Sequence, residues 1–186
     1  MSKTIGVMTS GGDCSGLNAA LRAIACRAIE TYGWRVFGIR NATVGLMARP
    51  VLAEEFTVSH YDSKLLRQAG TLLGAVNTGG DPFAYAMPDG TIKDRTQDMV
   101  EGYRQLGLDA MICIGGDGSL AILRKLAKAG NMNMVGIPKT IDNDVAYTET
   151  SIGYDTAVQV AVEAMDRLQP TAASHNRIMI LEVMGR

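Results

Sequence analysis

Four stretches of the chain hold the residue types that handle phosphate and move protons. TSGGDCSG, Thr9–Gly16, is glycine-rich. Gly11, Gly12 and Gly16 let the backbone approach a ligand closely and adopt positive φ. A helix starting behind them offers free N–H groups and a partial positive charge to an anion. It is not a Walker A loop, because Gly16 is followed by Leu17 and Asn18, and it is not G-x-G-x-x-G. Taken alone, it suits a tight turn equally well.

IGGDGS, Ile114–Ser119, repeats the device with an acid inside it. Gly115, Gly116 and Gly118 strip side chains from the turn before Ser119, so a polyphosphate can lie against the backbone. Asp117 then suits Mg²⁺, which favours one or two carboxylates together with phosphate oxygens. It equally suits a helix N-cap.

GIPKTIDNDV, Gly136–Val145, places Asp142 and Asp144 two positions apart, beside Lys139, Thr140 and Asn143. An aspartate accepts the proton of a sugar hydroxyl as the attacking oxygen bonds to phosphorus. Lys139 and Thr140 suit phosphate oxygens. Aspartates in an ordinary loop make turns or meet solvent.

SHNRIMILEVMGR, Ser174–Arg186, sets two arginines around an apolar run. With residues 178–183 as a strand, Arg177 and Arg186 stand at its opposite ends, roughly 25 Å apart. Arg186, at the carboxyl end, belongs to the local site and neutralises charge on a transferring group. Arg177 reaches a different site, such as a neighbouring subunit's. Structural ion pairing is the alternative for each. His60 and His175 read as structural residues, and Glu163 and Asp166 as a solvated helix face.

The elements that must hold these loops alternate. Strands are expected at Thr4–Met8, Arg35–Ile39, Ala110–Ile114, Met134–Ile137 and Ile178–Val183. Helices are expected at Gly16–Tyr32, Ser59–Gln68, Asp94–Leu106, Ser119–Ala129 and Gly153–Leu168, with the rest of Val44–Gly90 irregular. Continuously apolar strands between helices predict an α/β fold: a mainly parallel sheet with helices on both faces. Right-handed crossovers bring every strand-to-helix loop to one edge of such a sheet, where ligands bind. Ser10–Gly16, Gly115–Ser119, Pro138–Asp144 and Met184–Arg186 each follow a strand, so they converge on that edge.

The chain has 186 residues and a formal net charge of −1, enough for one domain and without the basic surface that nucleic acid or an anionic membrane requires. No apolar run is long enough to span a bilayer, and MSKTIGVMTS lacks the apolar core of a signal peptide. Cys14, Cys26 and Cys113 are isolated and odd in number, which fits a reducing cytoplasm and no disulfide framework. The methionines read as core filler.

Together, IGVMTSGGDCSGLNAALRA, AGTLLG, IGGDGSL, GIPKTIDNDV, SIGYDTAV and SHNRIMILEVMGR resemble the 6-phosphofructokinase family, in its order and nearly end to end. The resemblance implies transfer of a phosphoryl group from ATP to O1 of fructose 6-phosphate with Mg²⁺, in glycolysis. It implies Asp142 as general base, assisted by Lys139 and by Arg186 at the transition state, and Asp117 as the magnesium ligand. Gly11, Gly12 and Gly115–Ser119 would hold the donor. Thr140, Asp142, Asp144, Met184, Gly185 and Arg186 would line the sugar phosphate. Arg177 would cross a subunit interface of a homo-oligomer, a dimer or tetramer.

In that family GGDG accompanies ATP and GGDD pyrophosphate, so Gly118 favours ATP. Lys139 is a feature shared with pyrophosphate enzymes. Asn77 stands where bacterial ATP enzymes carry a phosphate-binding arginine. Arg22 matches part of the bacterial effector site, but Cys26 replaces its second arginine. The combination resembles the subgroup that uses ATP while keeping pyrophosphate-like features. The family also continues past EVMGR into a sugar-phosphate domain. Residues 1–186 therefore read as the donor-binding half, expected to have little activity alone. The alternatives are a pyrophosphate-dependent enzyme, another GGDG kinase such as an NAD kinase, and a non-catalytic nucleotide-binding subunit.

Overall fold

A computed structural model describes residues 2–77 and 80–185. The sheet core is laid down by apolar runs. β1 (Thr4–Ser10), β2 (Arg35–Ile39), β6 (Ala110–Gly115) and β7 (Met134–Pro138) are parallel, and β3 (Ala53–Glu55) adds an antiparallel edge; the order is β3-β2-β1-β6-β7. The two-residue period of a strand sends alternate side chains to opposite faces. Ile5 and Val7 of β1, with Ile114 of β6, enter one core, while Met8, Met111 and Cys113 enter the other. Both faces are apolar, so both must be covered.

On one face lies α1 (Leu17–Cys26), which turns Leu17, Leu21 and Ala25 inward at helical spacing. The other face is covered by α2 (Ala42–Met47), α3 (Thr96–Gln105) and α4 (Asp117–Gly130) through Leu46, Met99, Leu123 and Leu126. Each fully buried leucine or methionine contributes about 1.5–3 kcal/mol. A small hairpin, β4 (Tyr85–Ala86) with β5 (Ile92–Lys93), stands apart from the sheet. No helix among the described residues is long and apolar enough to cross a membrane.

Several expectations need correction. The helix expected over 16–32 ends as α at Cys26 and continues as a π-turn, Arg27–Thr31. Ser59–Gln68 is two 3₁₀ turns, Val58–His60 and Ser63–Arg67, the second started by the Asp62 carboxylate accepting from the Lys64 N–H at 2.8 Å. The stretch Val44–Gly90, expected to be irregular, contains most of α2, all of β3 and the first strand of the hairpin.

Most importantly, residues 178–183 form no strand. The preceding helix, α5 (Tyr154–His175), buries none of its residues. A strand needs a ladder partner, and among the described residues none pairs with this segment; Ile178 and Ile180 stand 93% and 89% exposed. The strand length that was to separate Arg177 from Arg186 is therefore absent, and Arg186 lies outside the described residues.

Candidate active site

Strand register puts three of the chemical loops in a row. Ser10 at the end of β1 is paired with Gly115 of β6, and Gly115 with Pro138 of β7. Neighbouring strands lie about 4.8 Å apart, so the three loops leave the sheet within about 10 Å of one another. All three leave from carboxyl ends, the edge where α/β sheets bind ligands.

The first two loops are joined by their small residues. Ser10 Oγ donates to Ser119 Oγ at 3.1 Å. A Cβ on Gly115 would lie 2.9 Å from that of Ser119, so only glycine lets the second turn fold this tightly. Gly11 has φ +82 and donates its N–H to the Val76 carbonyl at 3.2 Å. Gly12 and Gly118 differ from these: a Cβ on either would meet nothing within 4 Å. Packing does not account for the missing side chains at these two positions.

Gly116, not Asp117, occupies the N-cap of α4, and no side chain caps that end. Asp117 is the first helical residue, exposed, with its carboxylate beside the free N–H groups of the first turn. Among the described residues no three His, Cys, Asp or Glu side chains gather to hold a metal. One carboxylate beside an open glycine turn fits an ion that takes its remaining ligands from phosphate and water.

Lys139 ties the third loop to the other two. Its N–H donates to the Gly115 carbonyl at 3.1 Å, and its buried ammonium donates to the Gly12 carbonyl. The side chain is only 5% exposed. Burial pushes its pKa below the ordinary lysine value, and the nearby Cys14 and Asp13 partly offset this. The same burial raises the Cys14 thiol. Thr140 Oγ1 accepts from the Asp142 N–H at 3.0 Å.

Asp142 Oδ1 is buried and has no hydrogen-bond partner among the described residues. A Cβ on Gly185 would lie 3.6 Å from it, so the chain near its described end passes directly over this carboxylate. Beside it opens a groove of ≈ 680 Å³, lined by Asp13, Gly16, Ile141, Ala161 and Met184 among others. Asp144 lies exposed on the same loop.

The structure thus brings together Gly11, Gly12, Gly115–Ser119, Lys139, Thr140, Asp142, Met184 and Gly185. Arg177 is exposed just past the end of α5, its N–H bonded to the Ala172 carbonyl at 3.0 Å, and it does not line the groove.

Two buried polar residues escaped the sequence reading. Asn18 donates to the Gln68 carbonyl at 2.8 Å and accepts from the Leu72 N–H at 2.7 Å. Thr9 Oγ1 donates to the Gly74 carbonyl at 2.8 Å and so accepts from Thr71 Oγ1, also at 2.8 Å. They seat the 68–77 loop over the end of β1, where Asn77 joins Ser10, Thr43 and Ser119 around a cavity of ≈ 140 Å³. The available signal was a polar residue at each core position of an apolar element.

The phosphofructokinase family model matches residues 4–186. The chain is 61% identical over 184 residues to ATP-dependent 6-phosphofructokinase 1 of Synechocystis sp., covering 99% of this chain and 50% of that protein. It is 60% identical to ATP-dependent 6-phosphofructokinase 1 of Nostoc sp., covering 100% of this chain and 51% of that protein. The chain therefore spans about half the length of the curated relatives it matches. The Saccharomyces cerevisiae phosphofructokinase structure superposes with a TM-score of 0.79 at 29% identity, over 100% of this chain and 26% of that one. A pyrophosphate-dependent phosphofructokinase from Marinobacter aquaeolei shares the fold at TM-score 0.65 and 19% identity, over 90% of this chain and 42% of that one.

Proposed function

The chain belongs to the phosphofructokinase family, and from that premise we propose that it forms the donor-binding half of an enzyme that phosphorylates O1 of fructose 6-phosphate with ATP. The observation that carries the reading is the buried Oδ1 of Asp142, without a hydrogen-bond partner among the described residues, on a loop in register with two glycine turns. A buried acceptor without a donor costs about 1–3 kcal/mol, more for a charged group. A sugar hydroxyl is the donor that would satisfy it.

In the proposed reaction O1 attacks the γ-phosphorus as its O–H bond breaks toward Asp142. The O1–P bond forms, the bond from the γ-phosphorus to the bridging oxygen breaks, and ADP leaves. Gly11, Gly12 and Gly115–Ser119 hold the donor against backbone and the α4 N-terminus. Asp117 would hold Mg²⁺, which neutralises charge on the phosphate oxygens when bound. Lys139 fixes the donor turn through Gly12 and adds positive charge beneath it.

Thr140, Asp144, Met184 and Gly185 would face the sugar phosphate. Arg186 would neutralise the transferring group, and Arg177 would serve a neighbouring subunit of a homo-oligomer. ATP rather than pyrophosphate is supported by the relatives' names and by Gly118, whose open flank leaves room for a nucleotide. The apolar side chains exposed on α5 and residues 178–184, with Val160 at 60%, support a second half that packs there and supplies further sugar-phosphate contacts. A cytoplasmic location follows for an enzyme of this kind.

The test is a donor and acceptor comparison on the complete polypeptide. ATP with fructose 6-phosphate should give turnover at least 100-fold above pyrophosphate with the same acceptor, and NAD should not be phosphorylated. Faster turnover with pyrophosphate, or phosphorylation of NAD alone, would overturn the assignment.

A further inference from the structure

Asp142 sits where backbone alone would not keep it. It lies early in a loop running from Thr140 to Ser151, and this loop doubles back on itself. The Thr140 N–H donates to the Ile152 carbonyl at 3.0 Å, and the Ile152 N–H to the Pro138 carbonyl at 3.1 Å, which closes the loop's base. Between them the chain wanders: Asn143 and Tyr147 both have positive φ, and Tyr147 is fully exposed. Nothing in the closed base fixes the direction of the carboxylate.

Two side chains supply that constraint. Ser151 is 3% exposed and donates its hydroxyl to the Thr140 carbonyl at 3.0 Å. Its N–H donates to Asn143 Oδ1 at 2.8 Å, and Asn143 Nδ2 donates to the Glu149 carbonyl at 3.0 Å. The residues two before and one after Asp142 are therefore both pinned to the returning strand of the loop. Asp142 itself is held by its N–H to Thr140 Oγ1 at 3.0 Å. Its buried Oδ1 has no hydrogen-bond partner among the described residues to hold it in place.

We propose that Asn143 and Ser151 are positioning residues for Asp142, forming a clamp that keeps its carboxylate aimed at the acceptor hydroxyl. This rests on Asp142 being the general base. The hydrogen bonds of both residues stay within the Thr140–Ser151 loop and none goes to Gly11, Gly12 or Gly115–Ser119, so the clamp acts on the acceptor side. A base displaced by about 1 Å loses on the order of 100-fold in rate, while donor binding is untouched.

The experiment uses the complete polypeptide and three changes. Ser151→Ala removes the hydroxyl bond. Asn143→Gly removes both side-chain contacts while keeping positive φ free of strain. Ser151→Thr restores the hydroxyl. The first two should lower kcat by about 10- to 100-fold, with the ATP KM within twofold of wild type and the melting temperature little changed. The threonine should recover most of the rate. In an Asp142→Asn background Ser151→Ala should cost nothing further, since the clamp works only through that carboxylate.

Wild-type kcat in both clamp variants would overturn the proposal. So would a rate loss that follows melting, that threonine does not rescue, or that persists unchanged in the Asp142→Asn background. Failure of the parent reading is separable. Asp142→Asn alone would then leave fructose 6-phosphate turnover intact.

Discussion

The ammonium of Lys139 donates to the carbonyl of Gly12, 127 positions away in sequence. This bond joins the loop that carries the proposed base to the loop that carries the proposed donor site. It also gives the donor turn a buried positive charge, from a residue whose type alone suggests direct contact with a ligand.

Burying that charge has a consequence for stability. The folded state lowers the Lys139 pKa below its ordinary 10.5. Between the lowered value and 10.5 the unfolded chain binds more protons than the folded one, so this group makes stability rise with pH across that window. Urea unfolding of the wild type and Lys139→Met at pH 7.5 and pH 10 isolates the effect. The wild type should gain relative to the variant as pH rises; a relative loss would contradict the assignment.

Gly12→Ala should separate binding from folding. An added Cβ meets nothing within 4 Å of Gly12, and Gly→Ala at a compatible site stabilises by about 0.4–1 kcal/mol. Unfolding should therefore change by no more than about 1 kcal/mol. The ATP KM should rise at least tenfold as the methyl enters the space proposed for phosphate. Unchanged ATP affinity would remove Gly12 from the donor site.

Gly118→Asp should act in the same space through charge. The fold should be retained, because that flank is also open, while the new carboxylate repels donor phosphate. Steady-state kinetics should show a tenfold or greater loss in kcat/KM for ATP. A variant with wild-type ATP kinetics would place the nucleotide elsewhere.

Gly102→Ala should do the opposite and hurt folding alone. Its Cβ would fall 2.2 Å from the Leu46 carbonyl oxygen, a backbone atom that cannot swing aside. Overpacking of this kind costs about 1–3 kcal/mol, so the α2–α3 contact should loosen. Chemical denaturation should show a lower midpoint, with the ATP KM of the remaining folded enzyme unchanged.

How far the fold was legible depended on whether an element's signal is local. β1, β2 and β6 are largely buried apolar runs, β7 is a short apolar run at the sheet edge, and α1, α3 and α4 carry the 3.6-residue pattern, so each is legible. α2 is six residues long and entered through positive φ at Asn41 and Ala42, too short for periodicity to register. β3 is Ala-Glu-Glu, a strand only because β2 offers it an edge. The apolar run 178–183 has the composition of a strand without the neighbour that would make it one.

The site was legible in the same uneven way. Glycines and acids after strands marked its loops, because their residue types report a backbone demand directly. The clamp of Asn143 and Ser151 and the bonds made by Asn18 and Thr9 were invisible, since each depends on a partner brought close only by the fold. Lys139 was singled out for chemistry, yet its placement as a strut could not be read from type or spacing.

The most direct test is Asp142→Asn in the complete polypeptide, a change that keeps size and removes the charge able to take a proton. With ATP and fructose 6-phosphate, kcat should fall at least about 100-fold while ATP binding measured by calorimetry stays within about twofold, because general-base catalysis contributes roughly 100- to 10,000-fold. Turnover within tenfold of wild type would show that Asp142 is not the base and that the meeting of the three loops has another purpose.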